Sequence, residues 1–140
     1  MNGTTTQDDR GTDTAVSPVG TWVEHFSVQG EPKASTLHFT PGGQAFILAG
    51  PANGGSGAGT WQATGPDSFA YRISERIIDV RSGEYAGWVD IDHHAVQDGD
   101  SFVSTGHSRV YDAEDHLVID VGISARGSRK ILSEKARLIL

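Results

Sequence analysis

The chain contains no cysteine. Disulfides and thiolate chemistry are thereby excluded, and the redox compartment is left open. There is no block of basic residues interleaved with aromatics, and 11 Lys and Arg stand against 18 Asp and Glu, a formal charge of −7. That surplus suits neither a phosphate backbone nor an anionic membrane surface, so no nucleic acid and no membrane is expected as a partner. Long apolar runs are missing as well. The longest, Ala45 to Ala49, is far too short to span a bilayer. Residues 1–16, MNGTTTQDDRGTDTAV, lack the basic and apolar regions of a signal peptide, which makes a cytoplasmic protein the expectation.

Familiar catalytic signatures are absent too. GGSGAG has no Lys-Ser/Thr ending and precedes a strand pattern rather than a helix, unlike a phosphate loop. GHSRV (106–110) lacks the final glycine of a nucleophile elbow and lies inside a strand pattern.

What the chain does have is glycine, 18 in 140 residues, placed between short apolar runs as a turn-rich β protein requires. Residues 1–16 offer almost nothing to bury and read as a disordered leader to one domain over 17–140. From Val19 the pattern has period two, with Trp22, Glu24, Phe26 and Val28 on one face. QGEPK (29–33) reads as a turn, and Leu37 and Phe39 share a face before Pro41-Gly42-Gly43 closes a hairpin into QAFILA. A glycine loop over 50–59 leads to strand 60–64, a tight turn at Gly65-Pro66-Asp67, and strand 68–79 with Phe69, Tyr71 and Ile73 aligned. RSGE, DGD (98–100) and DAEDH then separate YAGWVDIDHHAVQ, SFVSTGHSRVY and LVIDVGISA. Residues 130–139 fit either a short terminal helix or a last strand.

These are eight strands in meander order with no amphipathic helix between them. Such a set closes most economically into an all-β, antiparallel up-and-down barrel, and closure removes the exposed edges of a Val-, Ile- and Phe-rich sheet. A two-sheet sandwich is the competing architecture. Gly-Thr-Trp occurs twice, at 20–22 and 59–61, each time opening a strand. Glycine permits the tight entry, threonine favours the strand, and the indole plugs an end of the barrel or is plain core.

Val19-Gly20-Thr21-Trp22 after Pro18, with an arginine near the end of the last strand, resembles the lipocalin (calycin) pattern. The resemblance implies that Arg129 or Arg126 packs over the indole of Trp22. HFTPGG, GTWQATGPDSFAY, DGDSF and VYDAEDHLV further resemble a group of small actinobacterial lipocalin-like proteins, over residues 18–129. Some barrels of that general kind serve antibiotic biosynthesis. Such relatives usually carry glycine in the last hairpin turn, where this chain has Glu114-Asp115.

Candidate chemistry comes from parity. Asp90, Asp92 and His94 fall on one side of their strand, spread too widely to hold one ion, so they read as a solvated outer face and no metal is expected. His93 falls on the other side with Val89 and Ile91, as either a structural imidazole or a proton handler. Glu24 shares the face of Trp22 and Phe26, where a carboxyl needs a partner or takes a raised pKa. Tyr71 supplies a hydroxyl that can orient a carbonyl. Glu24, Tyr71 and His93 are therefore the candidate catalytic groups. Trp22, Phe26, Trp61, Phe69, Ser104 and Ser108 are the candidate ligand wall, with Ser104, Gly106 and Ser108 leaving room.

These features suit a cofactor-independent cyclase or isomerase of natural-product, polyketide-type biosynthesis acting on a hydrophobic substrate, for instance by cycloaddition. A carrier of a hydrophobic small molecule is the alternative. A third reading is a structural module with a barrel packed shut, and homodimerisation is left open.

Overall fold

The computed structural model describes residues 16–50 and 55–130. They form eight antiparallel strands: β1 (Gly20–Val28), β2 (Glu31–Phe39), β3 (Gln44–Ala49), β4 (Gly57–Gly65), β5 (Ser68–Ile78), β6 (Tyr85–Asp98), β7 (Ser101–Asp112) and β8 (Leu117–Arg129). Each strand pairs with the next, and β1 pairs with β8, so the sheet is a closed barrel. The expected architecture is the observed one, and the sandwich is excluded. Among the described residues no helix is long and apolar enough to cross a membrane.

Turn chemistry sets the register. The β1–β2 link is two residues, Gln29 and Gly30, both at positive φ (51° and 82°), the geometry whose twist matches a right-handed hairpin. The turn expected over 29–33 is thus shorter, and Glu31 to Lys33 belong to β2. In the β7–β8 turn Asp115 has φ 67°, taking the left-handed position where glycine is usual. Asp112 secures this turn by accepting from the backbone of Glu114 (3.0 Å) and His116 (2.9 Å). β4 begins at Gly57 rather than at 60. Glycine fits there because Cβ atoms at 57 and 59 would collide with the β5 backbone.

Alternation puts one row of each strand inside. Trp22, Leu37, Phe39, Ala45, Ile47, Phe69, Tyr71, Ile73, Ala95 and Phe102 make the continuous core. Its densest part is the end where β1 starts and β8 finishes. Trp22 meets Phe102 edge-on at 5.0 Å, and Phe69 meets Phe39 at 5.4 Å and Phe102 at 5.6 Å. Of the two candidate arginines, Arg129 covers Trp22, with its guanidinium 4.3 Å from the ring centroid, while Arg126 is exposed. Arg129 donates to the carbonyls of Val19 (2.7 Å) and Ser17 (3.1 Å), and Trp22 Nε1 donates to Pro18 O (2.8 Å). Residues 17–19 are thereby tied across this end. Val16, placed in the leader by its sequence, donates its N–H to Pro66 O at 2.9 Å. The rest of that leader, and the alternatives for the C-terminal stretch beyond Lys130, lie outside the described residues.

Candidate functional site

The opposite half of the barrel is hollow. A cavity of about 330 Å³ is walled chiefly by Phe26, Val28, Val89, Ile91, Val110, Val121 and Ile123, with Glu24, Gln29, Ser35, Glu75, His93 and Ser108 as its polar groups. It suits a small ligand, near the lower bound of common small-molecule sites.

Strand register brings the polar groups together. Tyr71 of β5 lies opposite His93 of β6, which lies opposite Gly106 of β7, in an uninterrupted ladder. No bulge turns His93 outward. A Cβ at Gly106 would stand 2.7 Å from Cδ2 of His93, so the space expected beside Ser104 and Ser108 is partly taken by the imidazole. Glu24 arrives from β1, across the barrel. Tyr71 Oη donates to Glu24 Oε2 at 2.6 Å, and Ser104 Oγ sits 3.2 Å from both Tyr71 Oη and His93 Nδ1. Tyr71 has a single proton, and the short bond places it on Glu24. With Glu24 as the carboxylate, the arrangement that makes each of these three contacts a donor–acceptor pair runs from His93 Nδ1–H to Ser104, from Ser104 to Tyr71, and from Tyr71 to Glu24. It leaves the lone pair of His93 Nε2, an atom with no partner among the described residues.

Burial tunes these groups. It lowers the His93 imidazole to about 4, with His107 adding to the drop and Asp92 opposing it, so the ring is neutral at pH 7. Burial raises the Glu24 carboxyl, and the Tyr71 hydrogen bond pulls it back toward the ionised form. Tyr71 is held well above the ordinary phenol range, by burial first and then by the Glu24 charge. It stays protonated and acts as a donor.

The placement of the other candidates is mixed. Phe26 and Ser108 line the cavity with Glu24 and His93. Tyr71 and Ser104 lie beneath its floor and act on it through Glu24 and His93. Trp22, Trp61 and Phe69 do not reach it. They face inward at the filled end, where Trp61 Nε1 donates to Thr40 O (2.8 Å) and its ring meets Phe39 at 6.4 Å. Parity gives the face of a residue but not its depth along the barrel, and these aromatics sit too far toward the closed end. The outer-face reading of Asp90 also needs correcting. It is only 5% exposed, roofed by a two-pronged Arg72 contact (2.9 and 3.1 Å) and by Arg109 at 3.8 Å.

Sequence reasoning missed Glu75. It lies two residues beyond Ile73, on the Phe69–Tyr71–Ile73 face, and the same alternation identifies it. Glu75 is 4% exposed, and its Oε2 has no partner among the described residues. Burial, and then the Glu24 charge, push its carboxyl up to about 7.

Comparison of the chain with protein-family models, with curated proteins and with solved structures gives no match in any of the three. The fold and the site therefore rest on the chain's own residues.

Proposed function

We propose that the protein is a lipocalin-like, cofactor-independent isomerase or cyclase that folds a compact hydrophobic substrate in the open half of its barrel. The observation that carries the reading is the Glu24–Tyr71–Ser104–His93 chain at the floor of an apolar cavity. A carboxylate withdrawn from water, with no Lys or Arg among the described residues of the cavity wall, is a base of enhanced strength. Glu24 takes a proton from a substrate carbon or hydroxyl, Tyr71 steadies the carboxylate before transfer, and Glu24 returns the proton elsewhere on the same molecule. The net change is a redox-neutral rearrangement. The apolar walls supply the other contribution, a restricted set of substrate conformers poised for ring closure or bond migration. The resemblance of the Gly-Thr-Trp opening and late arginine to lipocalins, and of several turn motifs to small actinobacterial barrels, supports natural-product chemistry as the setting.

The test uses a panel of medium-length unsaturated ketones and aminoketones, incubated with the protein in D2O and followed by proton NMR. Deuterium entry at carbon or double-bond migration is expected for at least one member. Glu24→Gln should slow it by about 10²-fold or more, the usual worth of a positioned base. Saturable binding with no exchange across the panel would make the barrel a carrier instead.

A further inference from the structure

Glu75 is not used by that mechanism. It is a buried carboxyl in the cavity wall, and its surroundings are shaped to keep it there. A Cβ on Gly50 would lie 2.9 Å from the Glu75 carboxyl carbon and nearer still to its Oε2, so residue 50 leaves the carboxyl its room. Across the β4–β5 ladder, a Cβ on Gly57, the residue opposite, would lie 2.9 Å from Glu75 Cα. The carboxyl has a seat, and yet one of its oxygens goes unpartnered among the described residues. An orphaned buried acceptor of this kind costs stability unless something meets it.

We infer that the cavity takes an apolar molecule carrying a protonated amine, whose ammonium is held by Glu75 with Glu24 and His93 Nε2 as further acceptors. This rests on the cavity being the substrate site, as proposed above.

Three features converge on that chemistry. Among the described residues lining the cavity none is Lys or Arg, whereas two are glutamates, so an anionic head group would meet like charge there. An ammonium presents three N–H donors and no acceptor. The polar groups in the wall offer a matching set: the Glu75 carboxyl, the Glu24 carboxylate beyond its Tyr71 bond, and the Nε2 lone pair of His93. Finally, the two carboxyls disfavour each other's ionisation, as the Glu24 contribution to the raised Glu75 carboxyl shows, and a cation between them removes that repulsion. Apart from Gln29, Ser35 and Ser108, the remaining wall is aliphatic or aromatic and suits a hydrocarbon body.

Isothermal calorimetry at pH 7.5 with octylamine, octanol and octanoate, on the full chain and on Glu75→Gln, tests the assignment. Octylamine should bind at least about tenfold more tightly than octanol, and octanoate more weakly than either. Glu75→Gln should bring the affinity for the amine to within about threefold of that for octanol. The ranking on the unsubstituted protein needs no variant to fold. Octanol or octanoate binding as well as the amine, or an amine preference that survives Glu75→Gln, would overturn the ammonium assignment and leave the cavity reading standing. Failure of all three probes to bind would overturn both.

Discussion

The two halves of this barrel are made by the same eight strands, and they differ in what the inward rows carry. Toward the Trp22 end the rows hold large aromatics, Trp22, Phe39, Phe69 and Phe102, interlocked edge to face and capped by Arg129. Toward the other end they hold Val, Ile, Ser and the ionisable trio Glu24, Glu75 and His93, and the space between is not filled. Filling the whole barrel would maximise dispersion and apolar burial. Stability is therefore concentrated in one half, which allows the other to keep a void and buried titratable groups. Such groups are tolerated where a rigid neighbour holds them in place.

Breaking the filled half should have the largest effect. Trp22→Ala removes an indole that is fully buried, edge-packed and hydrogen-bonded, and should cost about 3–5 kcal/mol in denaturant titration. Val110→Ala, in the cavity wall, should cost under about 1 kcal/mol, because its side chain already borders empty space. Similar losses at the two positions would erase the distinction between the halves.

Acidity sharpens the contrast next. Glu75 is raised to about 7, so as pH climbs from about 4.5 to 7 the unfolded chain releases this proton while the folded one keeps it, and stability falls. His93 is lowered to about 4, so as pH drops from about 6.5 to 4 the unfolded chain takes up a proton that the folded one refuses, and stability again falls. Each effect is on the order of 3 kcal/mol, and they oppose each other across one window. Glu24, also raised, adds to the carboxyl side. His93→Gln should accordingly become less stable as pH rises from 4.5 to 7. Glu75→Gln should shift the balance the other way and lose stability toward acid. Parallel pH profiles for the two variants would contradict the buried placement of both groups.

Tyr71→Phe should cost about 1–2 kcal/mol and raise the Glu24 pKa further, since the hydrogen bond removed is one that favours the carboxylate. Carbonyl-region infrared difference spectra across a pH titration would show the shift. Smallest in its effect on stability is Ser108→Leu, which places a side chain in the void. The thermal midpoint should move by only a few degrees, while ligand uptake is lost.

Much of the fold was legible because a β-strand announces its faces. Period-two alternation and turn residues such as Pro41-Gly42-Gly43, Pro66-Asp67 and Asp98-Gly99 located all eight strands, and meander order with sticky edges implied closure. Alternation also placed Glu24, Tyr71 and His93 inside. It did not say how far along the barrel axis each lies, because depth depends on the shear between strands, which is set by bulges such as those at Thr36/Leu37 and Ile77/Ile78. That is why the parity of Trp22, Trp61 and Phe69 points to the cavity wall while their depth puts them at the filled end. Glu75 was overlooked although its parity was plain, since a single glutamate near a strand end resembles a solvated charge until its neighbours are known. The β2 and β4 boundaries shifted for a local reason: a two-residue turn at Gln29-Gly30 and close-packed glycines at 57 and 59 let the strands run further into what composition marks as loop.

The division of the barrel is tested most directly by methyl NMR with octanol, a neutral probe that does not depend on the charge of the cavity floor. On titration, saturable shifts should appear at the methyls of Val28, Val89, Ile91, Val110, Val121 and Ile123, while those of Leu37, Ile47 and Ile73 stay in place. Shifts centred on the latter set, or no saturable change at any of the nine, would contradict an open half above the Glu24–Tyr71–His93 chain.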